Sequence, residues 1–192
     1  MQIRILGCSG GIGAGLRTTS LLIDNDVLID CGTGVGDLTL EELAEIRHVF
    51  LTHGHLDHIA FIPLLVDSIF DELVGNPITI HLQTETLEML RQNIFNWQIW
   101  PDFAKLPNED NAVINYEIIA PEQVIELDGR LFEAIPVTHT QPAVGYRVKS
   151  PDGGSLSRPG RAAGAVADLS GKSSPGRRKT CQTWSERTAR AH

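Results

Sequence analysis

Three histidines and an aspartate lie within six consecutive positions of Val49-Phe-Leu-Thr-His53-Gly-His55-Leu-Asp57-His58-Ile59. An apolar run that reads as a strand ends at Thr52 and a helical pattern follows, so the four groups belong to a strand-to-helix loop. His53 and His55, two apart, project to the same side. Asp57 and His58 turn with the start of the helix towards a neighbouring point. Imidazole and carboxylate together suit zinc or a similar divalent first-row metal. A single histidine would read as a satisfied core or surface group; three with an acid at this spacing read as metal ligands.

The elements that must position this loop are legible over residues 1–152. Strands are predicted at 2–6, 19–23, 27–30, 48–52, 78–82, 113–119, 124–127, 131–137 and 143–148, all rich in Val, Ile and Leu and bounded by Gly, Asn, Asp or Pro. Asp24-Asn25-Asp26 between two apolar runs predicts a hairpin turn. Thr39-Leu-Glu-Glu42 has the capping-box form and predicts a short helix through Ile46. A second helix is expected over 59–73, starting or kinked at Pro63. A third is expected over 86–96, with Leu87, Leu90 and Ile94 on one face. The mixture predicts an α/β sandwich.

The HxHxDH run resembles the signature of the metallo-β-lactamase-fold hydrolases. Leu28-Ile-Asp30-Cys-Gly32 resembles the family's second hairpin strand, and His139 in Val137-Thr-His139-Thr resembles its third histidine. Ala143-Val-Gly145-Tyr146-Arg147 is similar to the strand that follows in the tRNase Z-like and phosphodiesterase-like branches. Leu6-Gly-Cys-Ser-Gly-Gly-Ile-Gly13, Leu16-Arg-Thr-Thr-Ser20 and Phe95-Asn-Trp-Gln-Ile-Trp-Pro-Asp102 together look like bacterial class II-type 3′,5′-cyclic-nucleotide phosphodiesterases.

This resemblance implies an αββα sandwich, of which residues 1–152 supply the N-terminal portion. It implies one divalent metal, zinc above others, on His53, His55 and His139. A second would be held by Asp57 and His58, with Asp57 in the catalytic centre. The implied reaction is attack of a metal-activated hydroxide on a phosphodiester, most like that of a cyclic-nucleotide phosphodiesterase. A tRNase Z-like RNA endonuclease and a catalytically impaired metal-binding remnant are the alternatives. The family's bridging aspartate, usually in a Gly-Asp-Thr run, is missing from this sequence, and neither Asp168 nor the terminal His192 fits the remaining ligand positions. The resemblance thus implies two metals in the intact family; here the second would be held weakly, with a single metal as the alternative.

Charge divides the chain sharply. Residues 1–152 hold 8 basic and 22 acidic side chains, net −14, whereas 153–192 hold 8 and 2, net +6. An acidic domain argues against a large nucleic acid and for a small phosphodiester or nucleotide substrate. The 153–192 segment is poor in apolar residues and is expected to be a disordered basic tail. Its abrupt start coincides with the loss of family pattern, which points to a change of reading frame near Gly153. No apolar run is long enough for a membrane span and no secretory leader is apparent, so a cytoplasmic protein is expected. Three scattered cysteines with no CxxC pair predict no disulfide scaffold. With mainly the first half of the sandwich present, an exposed inner sheet face is expected, inviting aggregation or a homodimer.

Weaker candidates have two readings each. The glycines from Gly7 to Gly15 fit no phosphate-loop pattern and read as a hairpin loop beside the site. Arg17 in that loop is either a substrate-phosphate contact or a surface arginine. Trp97 and Trp100, with Phe103, stack on a nucleobase or, more in keeping with their spacing, pack as a cap. Asp30 either orients a ligand histidine or satisfies backbone groups in a turn. His48 and His81 read as structural.

Overall fold

The structure, a computed structural model, describes residues 1–158. It is a mixed α/β fold whose chain falls into two units, Gln2–Ala120 and residues from Pro121 onward together with Met1. The tail expected to be disordered or out of frame lies, from residue 159, outside the described residues.

In the first unit, strand β1 (Ile3–Gly7) pairs antiparallel with β2 (Ser20–Ile23), which makes a hairpin with β3 (Val27–Ile29). The turn between them forms where anticipated. Asp24 sits at φ 49°, a region that aspartate tolerates, and its carboxylate accepts the Gln2 N–H at 2.6 Å. From β3 onward the strands run parallel, in the order β3, β4 (His48–Phe50), β5 (Ile78–Leu82) and β6 (Ile114–Ile118).

Parallel neighbours need crossovers, and helices supply them. Helix α1 (Leu40–Ala44) links β3 to β4 and opens on the anticipated capping box, with Glu42 N–H on Thr39 Oγ1 at 3.2 Å and Thr39 N–H on Glu42 Oε2 at 2.9 Å. The helix expected over 59–73 is instead three pieces: α2 (Leu56–Ile59), α3 (Ile62–Ser68) and α4 (Phe70–Leu73). Phe61 and Ile69 leave helical geometry at ψ 1° and 29°, and Pro63 falls in the first turn of α3, where its missing N–H costs nothing. Helix α5 (Thr84–Asn93) links β5 to β6 and buries Leu90, with Leu87 and Ile94 packed beside it.

The core of this unit lies between the helices and one sheet face, where Leu28, Val49, Leu51, Ile78, Ile80 and Leu82 are fully buried. Each such side chain contributes roughly 1.5–3 kcal/mol on burial. The opposite face carries Leu21, Ile23, Val27, Ile29 and Phe50, also buried, so the exposed apolar face anticipated from the sequence is not seen there. His81 shares that face. It stacks on Phe50 with ring centroids 4.1 Å apart, and its Nε2 is 3.1 Å from His48 Nδ1. Glu117 Oε2 lies 3.1 Å from His81 Nδ1 but out of line for a hydrogen bond. The two histidines face each other with Glu117 beside them, neighbours that their separation in sequence conceals.

In the second unit β7 (Val124–Leu127), β8 (Arg130–Pro136), β9 (Val144–Lys149) and β10 (Ser155–Arg158) form an antiparallel sheet in the order β10-β9-β8-β7. Phe132, Ala134, Val144, Tyr146 and Val148 alternate onto one buried face. The other face carries the Arg147–Glu133 ion pair at 2.9 Å. The sheet continues past the expected boundary at 152: the 150–154 turn leads into β10, which pairs with β9 and buries Leu156. Among the described residues no helix is long and apolar enough to cross a membrane.

Two predictions follow from this packing. A Cβ on Gly32 would overlap the Thr18 hydroxyl and the backbone of Asp57 and Thr18. Gly32→Ala should therefore cost at least the roughly 1–3 kcal/mol of an overpacked site, read as a lower urea midpoint; an unchanged midpoint contradicts the contact. Burial, then the neighbouring His48, holds the His81 imidazole down from 6.5 to about 3. The folded state thus prefers neutral His81, so its contribution is intact above pH 6.5 and is lost progressively as pH falls from 6.5 towards 3. Urea titrations should show wild type losing more stability than His81→Leu on acidification through that window; parallel losses would refute the assignment.

Candidate metal centre

The HxHxDH loop leaves the carboxyl end of β4, between β3 and β5, where ligand sites of parallel sheets form. Its backbone is stitched to both neighbours: Leu51 N–H donates to the His81 carbonyl at 2.9 Å and Asp30 N–H to the Phe50 carbonyl at 2.9 Å. The first turn of α2 is tied to the end of β3 by Cys31 N–H on the His58 carbonyl at 2.7 Å. The glycine-containing loop before β2 carries an antiparallel bridge at Gly13–Leu16 and a parallel one at Ser9–Thr18. Gly32 is the contact point at which Thr18 meets the Asp57 backbone.

Asp30 is the buried centre of the arrangement, 0% exposed and at φ 59°. Its Oδ1 accepts the Thr52 N–H at 2.8 Å, and Thr52 Oγ1 is 2.9 and 3.0 Å from its two oxygens. Its Oδ2 is 2.7 Å from His58 Nδ1. A buried carboxylate is tolerable only with such partners. Asp30 therefore holds the His58 ring directly and also takes up a backbone N–H, which joins the two roles weighed for it. Thr52 Oγ1 also lies 2.9 Å from His53 Nδ1 and 3.2 Å from His58 Nδ1. Sequence reasoning passed over this threonine; its position between a strand end and the first histidine was the available signal.

The outward nitrogens come in pairs. His53 Nε2 and His55 Nδ1 are 3.1 Å apart, with ring planes at 75°. Two nitrogens bound to one tetrahedral zinc at ~2.0–2.1 Å stand roughly 3.4 Å apart, so this pair fits a shared cation. His58 Nε2 and Asp57 Oδ2 are 3.3 Å apart and form the second pair, on the first turn of α2. His53 is buried, His58 and Asp57 are half-buried, and His55 is exposed. Cys31 is fully buried beside the site, and burial, with the Asp30 charge next to it, pushes its thiol far above the ordinary range.

The second unit places His139 on the loop between β8 and β9, half-buried, with Nδ1 accepting the Thr140 N–H at 2.8 Å. Arg17 is held by Asp37, its Nε and Nη2 3.2 and 3.1 Å from Oδ1, so the loop arginine is part of an exposed ion pair. The two tryptophans do not act alike: Trp97 is 60% exposed at φ 65°, while Trp100 packs on the core. Phe103 is buried against Phe95 and Phe70.

Comparison with known proteins agrees with this geometry. Residues 14–174 match the Metallo-beta-lactamase superfamily model. Among curated proteins, Ribonuclease Z of Methanococcus maripaludis (strain C7) is 31% identical over 163 residues, covering 79% of this chain and 50% of that protein. Ribonuclease Z of Clostridium beijerinckii is 30% identical over 162 residues, covering 76% and 48%. The chain spans about half the length of the curated relatives it matches. Among solved structures, unliganded yeast PDE1 shares the fold at TM-score 0.67 and 17% identity, covering 88% of this chain and 67% of that one. Human tRNase Z, short form, does so at TM-score 0.61 and 17% identity, covering 88% and 72%. The HxHxDH loop, its buried aspartate and a family match over most of its length agree: this chain belongs to the metallo-β-lactamase superfamily.

Proposed function

We propose that this protein is a metal-dependent hydrolase of phosphodiester bonds. His53, His55 and His139 hold one divalent cation, most suitably zinc, and Asp57 with His58 contribute to a second. The observation that carries the reading is the 3.1 Å approach of His53 Nε2 to His55 Nδ1 beside a second, Asp57–His58 pair. A cation bound there supplies Lewis-acid charge at the phosphoryl oxygen and makes water available as a nucleophile near neutral pH. Asp57 Oδ2, its side chain 30% exposed, is the group placed to take up a proton.

A small substrate, a cyclic nucleotide above others, suits the electrostatics. Residues 1–152 carry net −14 from 8 basic and 22 acidic groups, and Arg4, Arg17 and Arg147 are each engaged by an acid. A polyanion needs a basic footprint instead. The second reading, an RNA endonuclease, is favoured by one observation: the curated relatives described above carry the name Ribonuclease Z.

The zinc-loaded full chain should hydrolyse bis(p-nitrophenyl) phosphate and cyclic AMP, lose both activities to a chelator and regain them with zinc. His55→Ala and His139→Ala should each lose more than the roughly 10–100-fold that outer partners of a metal cost. Stoichiometric zinc with no turnover of either substrate would establish the impaired remnant instead. Salt-sensitive cleavage of a tRNA precursor with cyclic AMP untouched, abolished by deleting residues 159–192, would select the RNA reading.

A further inference from the structure

We infer that Thr52 is a positioning residue whose single hydroxyl proton, given to Asp30, fixes His53 with its ring proton on Nδ1 and its lone pair on Nε2. The inference deepens the proposed metal site and rests on His53 being one of its ligands.

The ring tautomers follow from a count of protons. Asp30 is fully buried, and three donors converge on it: the Thr52 N–H at 2.8 Å, the Thr52 hydroxyl at 2.9 and 3.0 Å, and His58 Nδ1 at 2.7 Å. A carboxylate only accepts, so the hydroxyl must donate and His58 must carry its proton on Nδ1. With its one proton committed to Asp30, Thr52 Oγ1 meets His53 Nδ1, 2.9 Å away, as an acceptor. His53 therefore carries hydrogen on Nδ1, and Nε2 keeps its lone pair.

That Nε2 is the atom 3.1 Å from His55 Nδ1. His55 donates across this gap to His53; these two nitrogens are the atoms that would hold a cation. One buried acid thus sets two ligand rings, one directly and one through a threonine hydroxyl. Partners of this kind are worth about 10–100-fold in metal affinity.

The test is nitrogen-15 NMR of the histidines in the metal-free full chain at about pH 8, above the ordinary imidazole range, together with zinc titration. Wild type and Thr52→Ser should both show His53 and His58 protonated on Nδ1. Thr52→Val, nearly isosteric but without the hydroxyl, should shift the His53 tautomer and leave His58 on Asp30, with zinc affinity falling about 10–100-fold; Thr52→Ser should stay close to wild type. His53 protonated on Nε2 in wild type, or Thr52→Val binding zinc as tightly as wild type, would overturn the inference. The wild-type tautomers decide the case even if Thr52→Val fails to fold. They are read without metal, so failure of the proposed hydrolase to turn over substrate would leave this result standing, and the converse also holds.

Discussion

A carboxylate withdrawn from water at the end of β3 is the constraint on which the site depends. Leaving Asp30 buried without donors would cost several kcal/mol, and the chain answers by bringing the end of β4 and the first turn of α2 to the same two oxygens. Thr52 arrives from the strand and His58 from the helix. Because both are tied to one acid, the His53–His55 pair and the Asp57–His58 pair are held in fixed relation. The φ of 59° at Asp30 belongs to the same compromise: the strand must turn out of the sheet at that residue to aim its side chain at the loop.

The parallel register of β3, β4 and β5 makes this possible. All three release their loops at the same end, and, the His48–His81 contact aside, the buried side chains of these strands are mostly apolar, which leaves those ends for polar chemistry. Gly32 completes the arrangement by letting two backbones approach more closely than any side chain permits.

Much of this was legible in the sequence, for physical reasons. The ligand run is local, so spacing alone placed His53, His55, Asp57 and His58 together. The strands are continuous runs of Val, Ile and Leu, which period and length identify. What stayed hidden depends on pairing across the chain or on single backbone angles. The His48–His81 contact is set by register between strands over thirty residues apart, and the Arg17–Asp37 pair by the fold of a loop. The breaks at Phe61 and Ile69 interrupt a pattern that is helical by composition. Strand β10 was missed because it offers one sizeable apolar residue, Leu156, in a basic, Gly- and Ser-rich stretch. Thr52 escaped because a threonine at the end of a strand is unremarkable until its oxygen is seen between an acid and two imidazoles.

In the first sheet each strand lies beside its immediate predecessor in the chain, from β1 through β6. A ribosome delivering this polypeptide therefore never has to hold one edge open for a strand still to be made. Every newly emerged segment finds its template already assembled, and loop-closure costs stay short-range throughout. The histidine loop is the exception that marks a checkpoint. Its anchor on the β3 side, Asp30, is already made when the loop appears, but its other anchor, the carbonyl of His81, is synthesised some thirty residues later.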